Sequence, residues 1–380
     1  MGYSGDGDHS GSLFIGCGEA SGDHYASLLV GALRSAGFGG EIWGMLGSEG
    51  QQAGGDAVWN SGSLSLMGIS EVFSAIPRLM RLKNEMAAEI MVRNPAAVVV
   101  IDSPDFSIPL LKALKKKGYG GSIFYLAPPT VWAWRQGRAD DLAELCDICF
   151  PLFDFERVFL ASRGVECRWF GHPLVKEIQG IKPTGKIAAN GEKIVALLPG
   201  SRRSEVRNLL PVLLEAARGL RERGFSPVFS VAPGLDEETS SGLKRACSGW
   251  SVFEGPGAEL MAASETVIGA SGTATVEALI LRKFTIVLYK ASWSSWVTYK
   301  LLVRTPWISI PNILAGESVF PELLQSEASA ANIFRHFDRY HGSRGERERI
   351  DASMNRADAA LGDGDAPGGW ANSIMEMLKT

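Results

Sequence analysis

The chain has 380 residues, 46% of them hydrophobic and 21% charged, with a formal net charge of −4. This is ordinary globular material, too long for one core of average size, so two domains are expected; the slightly acidic balance argues against a broad nucleic-acid surface and leaves any anionic ligand to local basic residues and helix N-termini. The five cysteines are an odd number that suits a reducing compartment, and the C-x-x-C of Cys146 and Cys149 lacks a second pair at zinc spacing and runs into the apolar stretch Ile148 to Leu152, so it reads as buried thiols.

Residues 1–11 are mostly Gly, Ser and Asp, with no positive n-region and no apolar h-region, which makes them a disordered leader and not a signal peptide. Apolar runs then predict strands near 12–16, 41–46, 96–101, 121–126 and 147–151, with amphipathic stretches between them. That alternation means a parallel sheet with right-handed crossovers, an α/β domain over 12–175. Residues 176–193 lose apolar density and gain Gly, Pro, Lys and Asn, as a linker does. A second domain over 194–326 repeats the logic with strands near 194–198, 227–231, 266–270 and 284–288, although no sequence repeat relates the halves. Residues 327–380 read as a helical tail that packs on the first domain or on a partner subunit. No eighteen apolar residues run together, so no membrane span is expected.

Several strand ends carry chemistry. Gly16-Cys-Gly-Glu-Ala-Ser-Gly-Asp23 follows the first strand and opens a helix, but Ser21 stands at the third glycine position of the dinucleotide fingerprint and no acid sits cleanly at the end of the second strand. What remains is a tight turn bringing Glu19, Ser21 and Asp23 to the ligand end of the sheet, as substrate contacts or as helix caps. Ala96-Ala-Val-Val-Val-Ile-Asp102 is apolar on every side chain until it ends in an acid, the pattern of a carboxylate at the end of a buried parallel strand. Asp102 is the first candidate for a catalytic base; the alternative is that Asp102 or Asp105 caps the next helix. Ala127-Pro-Pro-Thr-Val-Trp-Ala-Trp-Arg-Gln-Gly-Arg138 offers Trp132 and Arg135 to a sugar phosphate, or its tryptophans to the core.

In the second half, Gly200, Ser201 and Arg202 lie directly between a strand and a helix, where a backbone turn and a guanidinium suit a diphosphate. Ala270-Ser-Gly-Thr-Ala-Thr-Val-Glu277 again follows a strand, and Ser271, Gly272 and Thr273 leave a helix N-terminus open to an anion, with Glu277 one turn on as a partner for ribose hydroxyls. Two such loops in one domain, with an arginine, favour a nucleotide diphosphate. Two stretches combine apolar residues at helical spacing with basic flanks: 67–83, with Ile69, Val72, Phe73, Ile76 and Met80 beside Arg78, Arg81 and Lys83, and 290–304, with Trp293, Trp296, Val297 and Leu301 beside Lys300 and Arg304. Interfacial helices look like this, as do amphipathic helices packed on a core. Pro77 interrupts the first.

Together these segments resemble the lipid-A-disaccharide synthase family. The resemblance is carried by Gly18-Glu-Ala-Ser-Gly-Asp23, Leu66-Met-Gly-Ile-Ser-Glu-Val72, Ile101-Asp-Ser-Pro-Asp-Phe106, Val131-Trp-Ala-Trp-Arg135, Phe155-Glu156, Gly171-His-Pro173, Leu198-Pro-Gly-Ser-Arg202, Ala270-Ser-Gly-Thr-Ala274 and Ser309-Ile-Pro-Asn-Ile-Leu-Ala-Gly316, in the family's order and over nearly the whole chain. Ala127-Pro-Pro-Thr, where the family usually has Ser-Pro-Ser, and Phe153-Asp-Phe-Glu156, where Pro-Phe-Glu is usual, depart from the pattern.

The resemblance implies a glycosyltransferase-B architecture: two Rossmann-like domains facing a cleft, with the donor nucleotide on the C-terminal one and the acceptor on the N-terminal one. It implies transfer of 2,3-diacylglucosamine from UDP to the 6-hydroxyl of 2,3-diacylglucosamine 1-phosphate, without metal or cofactor, by an enzyme lying on the inner face of the inner membrane, with a tail that reaches a second subunit in a homodimer. Asp102 would deprotonate the acceptor hydroxyl for inverting in-line attack. Arg202, Ser201 and the helix start at Gly272 and Thr273 would stabilise the departing UDP. Glu277 and Asn312 would orient the nucleotide or donor sugar, and Glu19 would bind substrate. Two rivals share parts of this pattern. A UDP-N-acetylglucosamine 2-epimerase or soluble glycosyltransferase would lack the basic amphipathic stretches, and a non-catalytic UDP-sugar-binding protein would need no strand-end acid.

Overall fold

A computed structural model describes residues 11–62, 72–182, 193–291, 305–362 and 364–378, with side chains from residue 76 onward in the second of these segments. The chain forms two compact units, one built from the residues up to Pro173 and the terminal helix Ala366–Leu378, the other from Leu174–Gly362. The passage between them falls after Pro173, just ahead of the 176–193 stretch read as a linker, whose first residues belong to a short helix, Leu174–Gln179; residues 183–192 and the leader residues 1–10 lie outside the described residues.

The first unit holds a six-stranded sheet of β1 (Leu13–Cys17), β2 (Ile42–Leu46), β3 (Asp56–Asn60), β4 (Ala97–Ile101), β5 (Ser122–Leu126) and β6 (Ile148–Phe150) in the order β3-β2-β1-β4-β5-β6. Every pairing is parallel. The second unit holds β7 (Ile194–Leu198), β8 (Ser226–Val231), β9 (Ser251–Glu254), β10 (Thr266–Ala270), β11 (Phe284–Tyr289) and β12 (Glu322–Leu324) in the order β12-β11-β10-β7-β8-β9, again all parallel. Counted from its own first strand, each sheet has the doubly wound order 3-2-1-4-5-6. The halves thus repeat a topology that their sequences do not display.

Three strands escape sequence reading, β3, β9 and β12, and all three are sheet edges. Along β3 exposed and half-buried residues alternate, and β12 has three residues, so neither presents the continuous apolar run of an interior strand. The central strands bury both faces. Leu13, Ile15, Val99 and Ile101 join one core, while Phe14, Val98 and Val100 join the core on the other side. The second of these is closed by helix Pro104–Lys116 through Leu110, Leu111 and Leu114 and by helix Val72–Arg93 through Met86 and Ile90.

The tail divides. Helices Ala330–Gly342 and Arg344–Ala359 stay with the second unit, and helix Ala366–Leu378 returns to the first. There Trp370, Ala371, Ile374 and Met375 are buried, Trp370 meets Tyr25 edge-on at 6.4 Å, and Arg168 reaches Ser373 Oγ at 3.3 Å and Glu376 Oε2 at 2.7 Å. Its buried side chains pack within its own unit. Of the two amphipathic stretches, residues 67–71 of the first and 292–304 of the second lie outside the described residues. Pro77 does not end the helix, which runs from Val72 through it to Arg93.

Candidate active site

In a doubly wound sheet the crevice opens beyond the carboxyl ends of the strands where the order reverses. In the first unit that point lies between β1 and β4, and it collects the turn at Gly18 to Ser21 and the segment from Asp102. Glu19 and Ser21 are exposed there; Glu19 is the N-cap residue of helix Ala20–Ser35 and makes no side-chain cap bond. Gly22, one position later than the fingerprint expects, does the work of a close-packing glycine: a Cβ there would sit 3.3 Å from Cys17 Cβ.

Of the two roles read for Asp23, substrate contact or helix cap, the structure shows a cap, on a helix other than its own. Asp23 is 5% exposed, and its carboxylate accepts the amides of Gly47 at 2.7 Å, Glu49 at 2.9 Å and Gly50 at 3.2 Å, capping helix Ser48–Gln52. It is a cap in trans, across 24 residues of sequence.

Asp102 is the first residue after β4, partly exposed, with φ +54°. The N-cap of the following helix is Ser103, so Asp102 is not that cap. Asp105, in the first turn, instead receives Arg135 at 3.0 Å and a second ion pair from Arg138. These pairs tie the 130–138 loop to the helix that Asp102 precedes. Trp132 on that loop is half-buried; its Nε1 donates to Glu156 Oε1 at 3.0 Å and its ring meets Phe155 edge-on at 4.9 Å. Arg135 is exposed and lies over the Trp134 ring at 4.4 Å.

Glu156 is a site residue that reading the strand ends passed over. Its carboxylate is enclosed, also accepting the amides of Leu152 at 3.2 Å and Phe153 at 3.3 Å, and burial raises its pKa from 4.5 to about 7 against those three donors. The signal available in sequence was an acid three residues into a helix after an apolar turn, the spacing of a capping box. Close by, the His172 ring lies tilted against Phe153 at 5.0 Å, and burial lowers its pKa to about 4.

In the second unit the reversal lies between β7 and β10, and again the expected loops meet there. Gly200 has φ +117°, and a Cβ on it would strike the Glu205 side chain at 2.4 Å. The amides of Ser201 and Arg202, expected to cradle a diphosphate, donate instead to Glu205 Oε2 at 3.0 and 3.3 Å, and the Arg202 guanidinium lies 3.5 Å from the same carboxylate. An internal acid thus occupies the anion position of this turn. The Arg202 side chain is 68% exposed. Across the reversal, Ser271 is half-buried, Gly272 takes φ +144°, and Gly272 and Thr273 are exposed at the start of helix Thr273–Ile280, on which Glu277 is half-buried.

Asn312 is 0% exposed, and all its hydrogen-bonding capacity is used. Its Nδ2 donates to Phe320 O and Glu322 Oε1, and its Oδ1 accepts Val319 N and Phe320 N, at 2.8 to 2.9 Å. Glu322 also takes the amides of Ile308 and Ser309. Asn312 thus organises the 308–322 segment and presents no spare polar atom to a donor sugar. Among the described residues, no group of three His, Cys, Asp or Glu is arranged to hold a metal ion. Cys149 is a buried thiol held well above its usual pKa by Cys146, Cys167 and burial.

The family model described as lipid-A-disaccharide synthetase matches residues 13–357. The chain belongs to the lipid-A-disaccharide synthase family. It is 33% identical over 375 residues to the lipid-A-disaccharide synthase of Anaeromyxobacter dehalogenans (strain 2CP-C), covering 97% of each chain, and 32% identical over 374 residues to that of Myxococcus xanthus (strain DK1622), covering 96% of this chain and 97% of the other. A member of the lipid-A-disaccharide synthase family is a glycosyltransferase of lipid A biosynthesis. Among solved structures, an S. aureus MnaA–UDP co-structure aligns with TM-score 0.67 at 14% identity over 97% of each chain. A UDP-GlcNAc 2-epimerase from Neisseria meningitidis bound to UDP-GlcNAc gives 0.64 at 12% over 96% of this chain and 100% of the other, and a glycosyltransferase from Rickettsia africae 0.57 at 13% over 98% and 99%. These likenesses establish the glycosyltransferase-B fold alone. No helix among the described residues is long and apolar enough to cross a membrane.

Proposed function

We propose that this synthase-family chain moves 2,3-diacylglucosamine from UDP to the 6-hydroxyl of 2,3-diacylglucosamine 1-phosphate with inversion, giving a β-1,6-linked disaccharide 1-phosphate and UDP. The observation that carries this reading is that each unit, taken by itself, brings the expected chemistry to the reversal of its own sheet: Asp102 after β4 in the first, and Arg202, Gly272 and Thr273 after β7 and β10 in the second. An alcohol is a poor nucleophile until a base takes its proton in the transition state, and Asp102 is the acid that the first strand order brings to the ligand end of β4. Charge developing on the leaving UDP is met by the Arg202 guanidinium and by the amides and dipole at Gly272 and Thr273. Glu205 gives up the Ser201 and Arg202 amides to the diphosphate, or remains as the acid that orients Arg202. Ser271 lines the same turn and Glu277 takes ribose hydroxyls. On the acceptor side, Glu19, Ser21, the Trp132 ring and Arg135 surround the sugar phosphate, and Asn312 acts by shaping its segment.

Both substrates carry acyl chains, whose extraction into water would cost roughly 0.8 kcal/mol per methylene, so the reading places the enzyme on the cytoplasmic face of the inner membrane. Its support is helix Val72–Arg93, where Leu79, Leu82, Met86 and Ile90 face the core while Ile76 and Met80, at 47% and 49% exposure, do not. The test of the activity is incubation with both lipid substrates and mass spectrometry for the disaccharide. Asp102→Asn is expected to lower turnover by roughly 10²–10⁴-fold while UDP affinity stays within a few-fold; unchanged turnover removes Asp102 from the chemistry.

A further inference from the structure

The backbone at Asp102 is held in an unusual way. Asp102 and Ser103 take φ of +54° and +47°, two successive non-glycine residues in the left-handed region, where each alone is uncommon. Ser103 is the N-cap residue of helix Pro104–Lys116 yet makes no side-chain cap bond, so capping does not hold the turn. Two hydroxyls do. Tyr125 on the neighbouring strand β5 donates its phenol to the Asp102 carbonyl oxygen at 2.8 Å, and Ser107, in the first turn of the helix, donates to the same oxygen at 3.0 Å. The Asp102 amide meanwhile donates to Leu126 O at 3.2 Å, extending the β4–β5 pairing by one residue. Both lone pairs of the carbonyl are thereby used, one by each neighbouring element. Tyr125 is fully buried, and burial, with the Asp102 charge adding to it, keeps the phenol protonated far above neutral pH as a permanent donor.

We propose that Tyr125 and Ser107 are positioning residues for the transfer reaction: they clamp the Asp102 carbonyl and so fix the direction in which the Asp102 side chain leaves the strand. The clamp rests on the reading of Asp102 as the base. The left-handed pair has no glycine to favour it, so when one donor is lost the 102–103 peptide turns toward the right-handed or extended torsions that Asp and Ser prefer. That rotates the Cα–Cβ bond of Asp102. A general base works only with its oxygen within about 2.6–3.2 Å of the oxygen that carries the proton, or one water away, whereas nucleotide held by the second unit does not depend on this angle.

The experiment measures kcat, and KM for both lipid substrates, on the full-length chain carrying Tyr125→Phe, Ser107→Ala, Asp102→Asn or the pair Tyr125→Phe/Asp102→Asn. Tyr125→Phe and Ser107→Ala are each expected to lower kcat by roughly tenfold to a hundredfold, the penalty for misplacing a reacting group by about 1 Å, with both KM values within threefold. On the Asp102→Asn background, Tyr125→Phe should produce no further loss, because the clamp acts only through that carboxylate. A merely structural contact would instead lower the residual turnover of Asp102→Asn as well, and that result overturns the clamp. Wild-type kcat in both hydroxyl variants beside an inactive Asp102→Asn also overturns it while leaving the base intact. Full turnover by Asp102→Asn sinks the base reading itself. If Tyr125→Phe does not fold, Ser107→Ala, alone and with Asp102→Asn, decides the question.

Discussion

Replacing Glu156 by glutamine separates the charge of a buried acid from its shape. The side chain is 5% exposed and accepts three N–H donors, yet burial outweighs them and raises the pKa from 4.5 to about 7. The folded chain therefore holds a proton that the unfolded chain releases across this window. The stabilisation is fully present below pH 4.5 and is lost as pH rises through 7, a fall of about 3 kcal/mol at 1.36 kcal/mol per pH unit. His172 runs the other way. Its pKa is lowered by burial from 6.5 to about 4, so its contribution is present above pH 6.5 and is lost as the pH falls toward 4. The two slopes oppose each other in overlapping windows, and the wild-type profile alone will conceal both. In Glu156→Gln only the carboxyl slope disappears. One of the groups now bonded to the carboxylate loses its acceptor, a pH-independent penalty of about 1–3 kcal/mol. Measured by urea unfolding with far-ultraviolet circular dichroism, the stability of the variant relative to wild type should rise by about 3 kcal/mol between pH 4.5 and 7.5. A difference that stays constant with pH would refute the claim that burial defeats the three donors, and with it the picture of Trp132 held by an acid that is largely protonated below neutrality.

Arg202→Ala is expected to weaken UDP binding and lower kcat/KM together, each by roughly tenfold to a hundredfold, the worth of a charge-assisted hydrogen bond; UDP affinity equal to wild type by calorimetry would place the diphosphate elsewhere. Trp370→Ala should cost about 3–5 kcal/mol, because this indole is 1% exposed in the first unit's core, and thermal unfolding reads the loss. Ile76→Ser/Met80→Ser, in a protein shown to remain folded, should reduce sedimentation with anionic vesicles at low salt, and high salt should weaken wild-type binding through Arg78 and Arg81. Equal binding by both proteins would move the membrane contact away from this helix.

The amino-acid sequence determined, without further help, what is written in runs and neighbours. Nine of the twelve strands among the described residues, the two α/β halves and the strand-end loops carrying Asp102, Arg202 and Gly272 were all legible, because a strand buried on both faces is apolar at every position and its ligand-bearing end is the next residue along. The edge strands β3, β9 and β12 were not, since one solvated side or a length of three residues removes that signature. Nor could sequence say what a polar side chain would bond to. Asp23 read as a ligand contact or as a cap of its own helix, and it caps another helix 24 residues away; Asn312 was expected to orient the donor and closes on residues 319–322; Glu205 and Glu156 were given no bonding role, and they take the amides of one turn and the indole of Trp132. A hydrogen bond is decided by distance in space, and only packing the helices onto both sheets sets those distances. The return of Ala366–Leu378 to the first unit belongs with these: an amphipathic helix states that one face must be buried, and the folded chain alone decides against what.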